Sequence, residues 1–357
     1  MFNRILVPLD GSLLAEGAIP HVEHFARIFG SSIILLQVLD PTSYHENPTS
    51  LDPLSWQIRK VEADIYMNGI AARVRDHLHI QEKHAGEGSA NEERVEYAIR
   101  EGKTAENIVA FAHAENIDLL IISTHGSGGL SRWNLSSVTQ KVINLVYLPV
   151  LLVRSFSQPG LEGARIHYRH ILLPIDSSRR AEYALSAGIA LARGEMTMEL
   201  ASDEDALSPG RAAPDAATHL TKLILASVIK PPELPIPEPY PTEVEQLYNQ
   251  LMLISRQAVS NYLYEMKERI PVECETRVIE SNSVASAIQE LANQEEDIDL
   301  VVLCAHGYTG QSTWPYGSVA HNYIEHGIKP VLIIQDVPRS QVQPTAAEIA
   351  AEKAGGR

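Results

Sequence analysis

The chain has 357 residues, too many for one ordinary domain and enough for two, each with its own core. Its 45 acidic and 29 basic residues give a net charge of -16, which argues against nucleic acid and membrane surfaces as partners. Two cysteines without metal-ligand spacing, no apolar run long enough to cross a bilayer and no signal-peptide pattern at the start predict a cytoplasmic protein.

The elements predicted in the first half alternate between strands and helices. Five short apolar runs are typical of buried strands, and they occupy 5–9, 33–38, 95–100, 119–123 and 150–153. Amphipathic segments such as 105–114 separate them. Continuous apolar strands between such helices are typical of a parallel sheet that is covered on both faces.

The second half repeats the first. Residues 4–12 match 170–178, and residues 118–126 match 299–307. We therefore predict an α/β fold of two Rossmann-like doubly wound units in tandem, each with a five-stranded parallel sheet. The first domain covers 1–155, the second covers 166–337, and 338–357 is predicted to be a mobile tail.

Two irregular stretches distinguish the second half. Residues 194–217 are polar and rich in helix breakers, which predicts an inserted loop. Residues 231–241 contain six prolines, which predicts an extended surface connection.

The loop after the fourth strand of the second half carries the motif with the clearest chemistry. It contains Gly307, Gly310, Gly317 and Ser318 and leads into a helix-like segment at 319–325. Ligands of open parallel sheets bind at the carboxyl ends of the strands. Glycines permit close backbone approach, and free N–H groups at a helix start bind phosphate, so this loop is a candidate phosphate site.

With these motifs the chain resembles the universal stress protein family over nearly all of 2–155 and 168–336. The family's nucleotide pattern is Gly, two residues, Gly, nine residues, then Gly-Ser or Gly-Thr. In the second half it falls on Cys304, Gly307, Gly317 and Ser318, so only the first glycine is replaced.

The same pattern is less complete in the first half. It falls on Ser123, Gly126, Ser136 and Ser137, so two of its three glycines are replaced, although Gly129 adds a further glycine to the loop. The second half is therefore the better-preserved candidate.

The resemblance also implies roles for residues at other strand ends. Asp10 and Asp176, which end the first strand of each half, are implied to lie near the nucleotide. Val38 and Val228, which end the second strands, are implied to line the adenine pocket. The implied ligand is ATP, with AMP or ADP as alternatives and Mg²⁺ as an accompanying ion.

Each candidate residue also has a purely structural interpretation. Asp10 and Asp176 could cap the following helix, and Ser137 and Ser318 could be ordinary N-caps. His306 has no Ser, Cys or carboxylate partner at a recognisable position, which favours a loop-anchoring hydrogen bond over catalysis.

Three functions remain open at this point. The leading hypothesis is a regulatory, stress-response protein that binds an adenine nucleotide in its second domain. The alternative is a nucleotide-free interaction module, in which 150–153 and 331–334 pair the two domains or build a homo-oligomer. A slow ATPase ranks last, because the sequence shows no clear general base or nucleophile near the loop.

Overall fold

The computed structural model describes residues 1–41, 53–85, 94–125, 135–154, 166–206, 221–237, 239–294, 298–307 and 315–336. The predicted tail at 338–357 lies outside these ranges.

Strands and helices alternate along the described chain. The strands are β1 (Arg4–Leu9), β2 (Ser32–Leu39), β3 (Val95–Glu101), β4 (Leu119–Ser123), β5 (Val150–Val153), β6 (His170–Pro174), β7 (Lys222–Ile229), β8 (Cys274–Glu280), β9 (Ile298–Cys304) and β10 (Val331–Ile334). The helices are α1 (Leu13–Glu16), α2 (Ile19–Phe29), α3 (Pro53–Ala85), α4 (Thr104–Ala114), α5 (Ser137–Leu145), α6 (Tyr183–Ala206), α7 (Thr242–Arg269), α8 (Val284–Gln294) and α9 (Ser318–His326).

The strands form one ten-stranded sheet in the order β3-β2-β1-β4-β5-β10-β9-β6-β7-β8. Each half contributes five parallel strands in the same internal order. The halves meet where β5 runs antiparallel to β10, with Leu151 opposite Leu332. The predicted α/β fold with a mainly parallel sheet is therefore confirmed.

The helices cover both faces of the sheet because the strands are apolar on both sides. Ile5 and Val7 pack towards one face with α2, α3, α6 and α7. Leu6, which points the opposite way, packs towards the other face with α4, α5, α8 and α9. This alternation follows from the two-residue period of a strand. No described helix has the length and apolar content of a membrane span.

The prediction of a loop over 194–217 is wrong for its first part. Residues up to Ala206 continue α6, and residues 207–217 lie outside the described ranges. Gly194 fits inside this helix because α6 passes close to α2, where a Cβ at position 194 would lie 2.2 Å from Ile28. The glycine therefore marks a close helix contact, which local composition cannot reveal. The proline-rich stretch, by contrast, has neither helix nor strand among its described residues, as predicted.

The repeat is preserved in polar contacts that lock the start of each half. Asp118 accepts a hydrogen bond from the amide of Arg4 at 3.0 Å, and Asp299 accepts one from the amide of His170 at 3.0 Å. Both aspartates lie at the start of a central strand and hold the first strand of their half in register. The two halves thus share long-range side-chain chemistry as well as topology.

A buried polar cluster fills the contact between α2 and α6. The carboxylate of Glu195 faces His24 and His167 and accepts a hydrogen bond from the amide of Tyr168 at 2.8 Å. Burial acts to raise the pKa of Glu195, but the adjacent rings of His167 and His24 and the hydrogen bond from the Tyr168 amide outweigh it and lower the pKa to about 2. The carboxylate is therefore ionised inside the protein.

His21 in the same cluster should make the protein sensitive to mild acid. Its ring is bonded to the Tyr168 hydroxyl, and burial, with a smaller contribution from His24, lowers its pKa from 6.5 to about 3. Between these values the unfolded chain binds a proton that the folded protein does not. The free energy of unfolding should therefore fall as pH falls from 6.5, by up to about 1.4 kcal/mol per pH unit.

Urea unfolding of His21→Asn between pH 6.5 and 5 checks this expectation. In this variant the slope of the free energy of unfolding against pH should be smaller by the contribution of one proton, since the buried titrating ring is removed. His321→Asn, at a half-exposed position, serves as the control and should keep the wild-type slope. An unchanged slope in His21→Asn would contradict the assignment.

Candidate functional site

The candidate site of the second half lies where β6 and β9 end side by side. The strand order of this half reverses between these two neighbours, which is where open parallel sheets bind ligands. Asp176 follows β6 and Gly307 follows β9. A Cβ on Gly307 would lie 2.2 Å from Oδ2 of Asp176, so the missing side chain is what lets this carboxylate approach the loop.

The two aspartates bond to serines, and the serines cap the helical turns that follow. Oδ1 of Asp10 accepts from the amide and hydroxyl of Ser12, and Oδ1 of Asp176 accepts from the amide of Ser178. Ser12 then accepts from Ala15 N, and Ser178 accepts from the amide three residues further on. The N-cap of α1 is therefore Ser12 and not Asp10. Both carboxylates lie in exposed residues at the sheet edge.

The residue after each aspartate has a left-handed backbone. Gly11 has φ of 82° and Ser177 has φ of 64°. This conformation is free for glycine but costs an L-residue on the order of 1 kcal/mol. Such strain concentrates at functional sites, and here it lies beside Asp176 in the second half. Sequence reasoning gave Ser177 no role, although its alignment with Gly11 was visible.

His306 has a carboxylate partner, contrary to the sequence expectation. Its Nδ1 lies 2.7 Å from Oδ1 of Asp336, and both side chains are buried. The second oxygen of Asp336 lies 3.6 Å from Nε of Arg180. In the first half the corresponding ring, His125, is bonded instead to Thr124 Oγ1 at 2.9 Å. The His306 bond ties the loop after β9 to the end of β10, which is the geometry of an anchor.

The two candidate phosphate-binding helices begin differently. The N-cap of α5 is Ser136, whose hydroxyl oxygen accepts from the amide of Thr139 at 3.0 Å. The N-cap of α9 is Gly317, which has no side chain to offer. Ser137 and Ser318 are consequently the first helical residues, so the alternative interpretation of both as N-caps is wrong. The first half thus satisfies part of its own helix start, whereas the cap residue of α9 leaves the first-turn N–H groups to other partners.

The first half contains a cavity of about 390 Å³ at the ends of β1 and β2. Its volume falls within the usual range for small-molecule pockets. It is lined by Gly11, Leu39 and Ala63 together with the aromatic and polar side chains of Gln37, Trp56, Arg59, Glu62 and Tyr66. The indole N–H of Trp56 donates to Glu101 at 3.0 Å, which fixes the ring. The lining residues on α3 had no motif to mark them in the sequence.

The remaining predicted residues are only partly brought together. Val38 and Val228 lie near the carboxyl ends of β2 and β7, half-buried against the same face of the sheet. Gly126, Gly129 and Gly310 lie outside the described residues. Among the residues that the structure does describe, no group of three or more His, Cys, Asp and Glu side chains is arranged to hold a metal ion.

Comparison with known proteins agrees with this architecture. A model of the universal stress protein family matches residues 1–154 and again 201–335. A universal stress protein of Methanocaldococcus jannaschii is 29% identical over 159 residues, covering 43% of this chain and 96% of that protein. One from Synechocystis is 31% identical over 158 residues, covering 43% of this chain and 86% of that protein. The crystal structure of a putative universal stress protein from Pseudomonas aeruginosa matches with a TM-score of 0.58 at 14% identity, covering 94% of this chain and 93% of that one.

The fold and the duplicated strand ends define a tandem protein of two Rossmann-like α/β units. The same family model matches the two halves of the chain separately. Since the matched ranges cover most of the residues, the chain belongs to the universal stress protein family.

The contact between Gly307 and Asp176 yields a direct test. Gly307→Ala should displace the carboxylate and break its bond to Ser178, lowering the free energy of unfolding by about 1 kcal/mol. In the Asp176→Ala background the same Gly307→Ala change should cost much less, because the clash then has no partner and the bond to Ser178 is already lost. Urea unfolding of the four proteins gives the coupling energy.

The matched control is Gly317→Ala, whose Cβ would lie no nearer than 3.4 Å to Ala305 O and should cost less. Strict additivity of the Gly307 and Asp176 effects would show that the two residues do not interact.

Proposed function

We propose that this protein binds ATP, or the related nucleotides ADP or AMP, in its second half and acts as a regulatory stress-response protein. The observation that carries the proposal is the start of α9, where the N-cap is Gly317. First-turn N–H groups without a side-chain cap, together with the positive end of the helix dipole, form a site for phosphate oxygens.

The neighbouring residues fit the other parts of a nucleotide. Asp176 would face the ribose or a Mg²⁺ ion that accompanies the phosphates, and Val228 would face the adenine ring. Gly307 and Gly310 would allow the loop to approach the phosphates closely. His306, held by Asp336, would keep the loop in place. The net charge of -16 does not oppose this, since the attraction comes from local N–H groups.

The cavity of the first half supports a second adenine site there, on the α3 side of the sheet and beside Gly11, the residue that follows Asp10. Val38 points to the opposite face of the sheet, so in this half it would not line that cavity. Trp56 and Tyr66 offer aromatic surface for a planar base. The start of α5 is less suited to phosphate, because Ser136 already occupies the Thr139 amide. Ser137, Gly126 and Gly129 would supply the remaining contacts of this weaker site. We expect it to hold the base more firmly than the phosphates.

The regulatory role would follow from ordering of the loop around the nucleotide, which changes the surface seen by a protein partner. We further propose that β5 and β10 hold the halves together in solution, and the antiparallel register of these strands supports this. A cytoplasmic location is supported by two free, buried cysteines, Cys274 and Cys304.

A slow ATPase is a second candidate function, which the His306 and Asp336 pair favours. A carboxylate that bonds Nδ1 orients the imidazole ring, which is the arrangement in which histidine serves as a general base in other sites. Phosphate release by wild type, His306→Ala and Asp336→Asn would decide, and equal background rates in all three would count against catalysis.

Calorimetric titration with ATP and Mg²⁺ tests the main proposal. Ser318→Pro removes one first-turn N–H together with the hydroxyl, yet proline is well tolerated at the first position of a helix. Gly317 has φ of -67° and ψ of 166°, which suits a residue before proline. We expect Ser318→Pro to weaken binding at least about tenfold, the size expected for a charge-assisted hydrogen bond.

Ser318→Ala separates the hydroxyl from the N–H, and Ser137→Pro at the equivalent position of α5 is the control. Trp56→Phe identifies the first site, because quenching of Trp56 fluorescence by ATP should disappear in that variant. Absence of saturable ATP binding to the wild-type protein, or equal affinity in Ser318→Pro, would remove the proposal.

A further inference from the structure

The carboxyl ends of the two candidate phosphate-binding helices lie at the junction of the halves. Both α5 and α9 end in carbonyl groups that have no partner within the helix. The orphan carbonyl of Ile143 near the end of α5 and that of Ile324 near the end of α9 occupy equivalent positions in the repeat. In each case the donor that reaches the carbonyl comes from the other half of the chain.

Arg154 of the first half serves α9. Its Nη1 donates to Ile324 O at 2.9 Å and its Nη2 donates to Tyr323 O at 2.7 Å. The arginine is only 8% exposed, and burial lowers its pKa to about 10, so the guanidinium remains charged at neutral pH. A buried cation is stabilised here by the negative end of the helix dipole. Arg154 directly follows β5, the strand that runs beside β10.

Tyr316 of the second half serves α5. Its hydroxyl donates to Ile143 O at 3.2 Å, and the ring is 5% exposed. Tyr316 immediately precedes Gly317, the N-cap of α9. The residue that bonds the end of one candidate helix therefore lies at the start of the other.

We propose that the two halves position each other's phosphate-binding helices through Arg154 and Tyr316, so that nucleotide affinity in the second half depends on residues of the first. This inference rests on the proposed function. Arg154 is a positioning residue, because α9 has nine residues and its start lies about 13 Å from its end. At that distance the arginine acts by holding the helix in place, since dipole effects fade beyond one turn.

Binding of ATP to the full chain tests the proposal. Arg154→Met removes both hydrogen bonds and the charge while keeping an unbranched side chain of similar length. We expect it to raise the dissociation constant about fivefold or more, at the lower end of usual coupling between sites. Arg154→Lys keeps the charge with a single point of donation and should fall between wild type and Arg154→Met. Tyr316→Phe should weaken binding about two- to fivefold.

The matched controls make the same two substitutions, Arg to Met and Tyr to Phe, at positions away from the junction of the halves. Arg256→Met removes an arginine that pairs with Glu280 at the outer edge of the second half. Tyr97→Phe removes a hydroxyl bonded to Asp64 in the first half. Both controls should stay within twofold of wild type, and circular dichroism should show every variant fully folded at the titration temperature.

Hydrogen exchange of the α9 amides from His321 onwards, which are hydrogen-bonded within the helix, gives a second readout when it is measured without nucleotide. Arg154→Met should speed their exchange about fivefold relative to Arg256→Met. If wild-type protein binds no ATP, the proposed function fails, and the exchange rates alone decide the coupling. Unchanged exchange overturns the coupling, and wild-type affinity in Arg154→Met overturns its effect on the nucleotide.

Discussion

Parallel pairing of neighbouring strands at the point where the strand order reverses is the constraint on which the candidate site depends. Because β6 and β9 run in the same direction, their carboxyl ends reach one edge together and bring Asp176 against Gly307. The same arrangement is repeated by β1 and β4 in the first half. An antiparallel pair would have placed the two loops at opposite edges, so the chemistry at this edge is a consequence of topology before it is a consequence of any side chain.

The two halves use this shared edge in different ways. In the first half a cavity with an aromatic wall opens beside Gly11, while Ser136 caps its own helix. In the second half the N-cap of α9 is Gly317, which has no side chain to bond the first-turn N–H groups. Ser177 in this half has the left-handed backbone that Gly11 has in the first half. Duplication has preserved the backbone path and has changed the groups that a ligand would meet.

Strands could be predicted closely from the sequence because each is a continuous apolar run, and the observed bounds of β4 and β5 coincide with the predicted ones. Helix limits were less accessible. Gly194 and the polar residues after it suggested a loop, yet α6 continues there because the glycine allows close contact with Ile28. The bond between His306 and Asp336 joins residues 30 positions apart, and only the return of β10 beside β9 brings them together. Contacts of this kind depend on the folded topology, so no local sequence pattern predicts them.

The antiparallel register of β5 with β10 has a consequence for any attempt to study one half by itself. All four residues of each strand are apolar and buried, from Val150 to Val153 and from Val331 to Ile334. Cutting the chain between the halves would turn β5 and β10 into exposed edge strands, each with a row of unpaired backbone N–H and C=O groups. An exposed edge strand pairs readily with another chain, so an isolated half would be expected to dimerise through this strand or to aggregate. In the tandem chain this does not arise, because β5 and β10 pair with each other within one molecule.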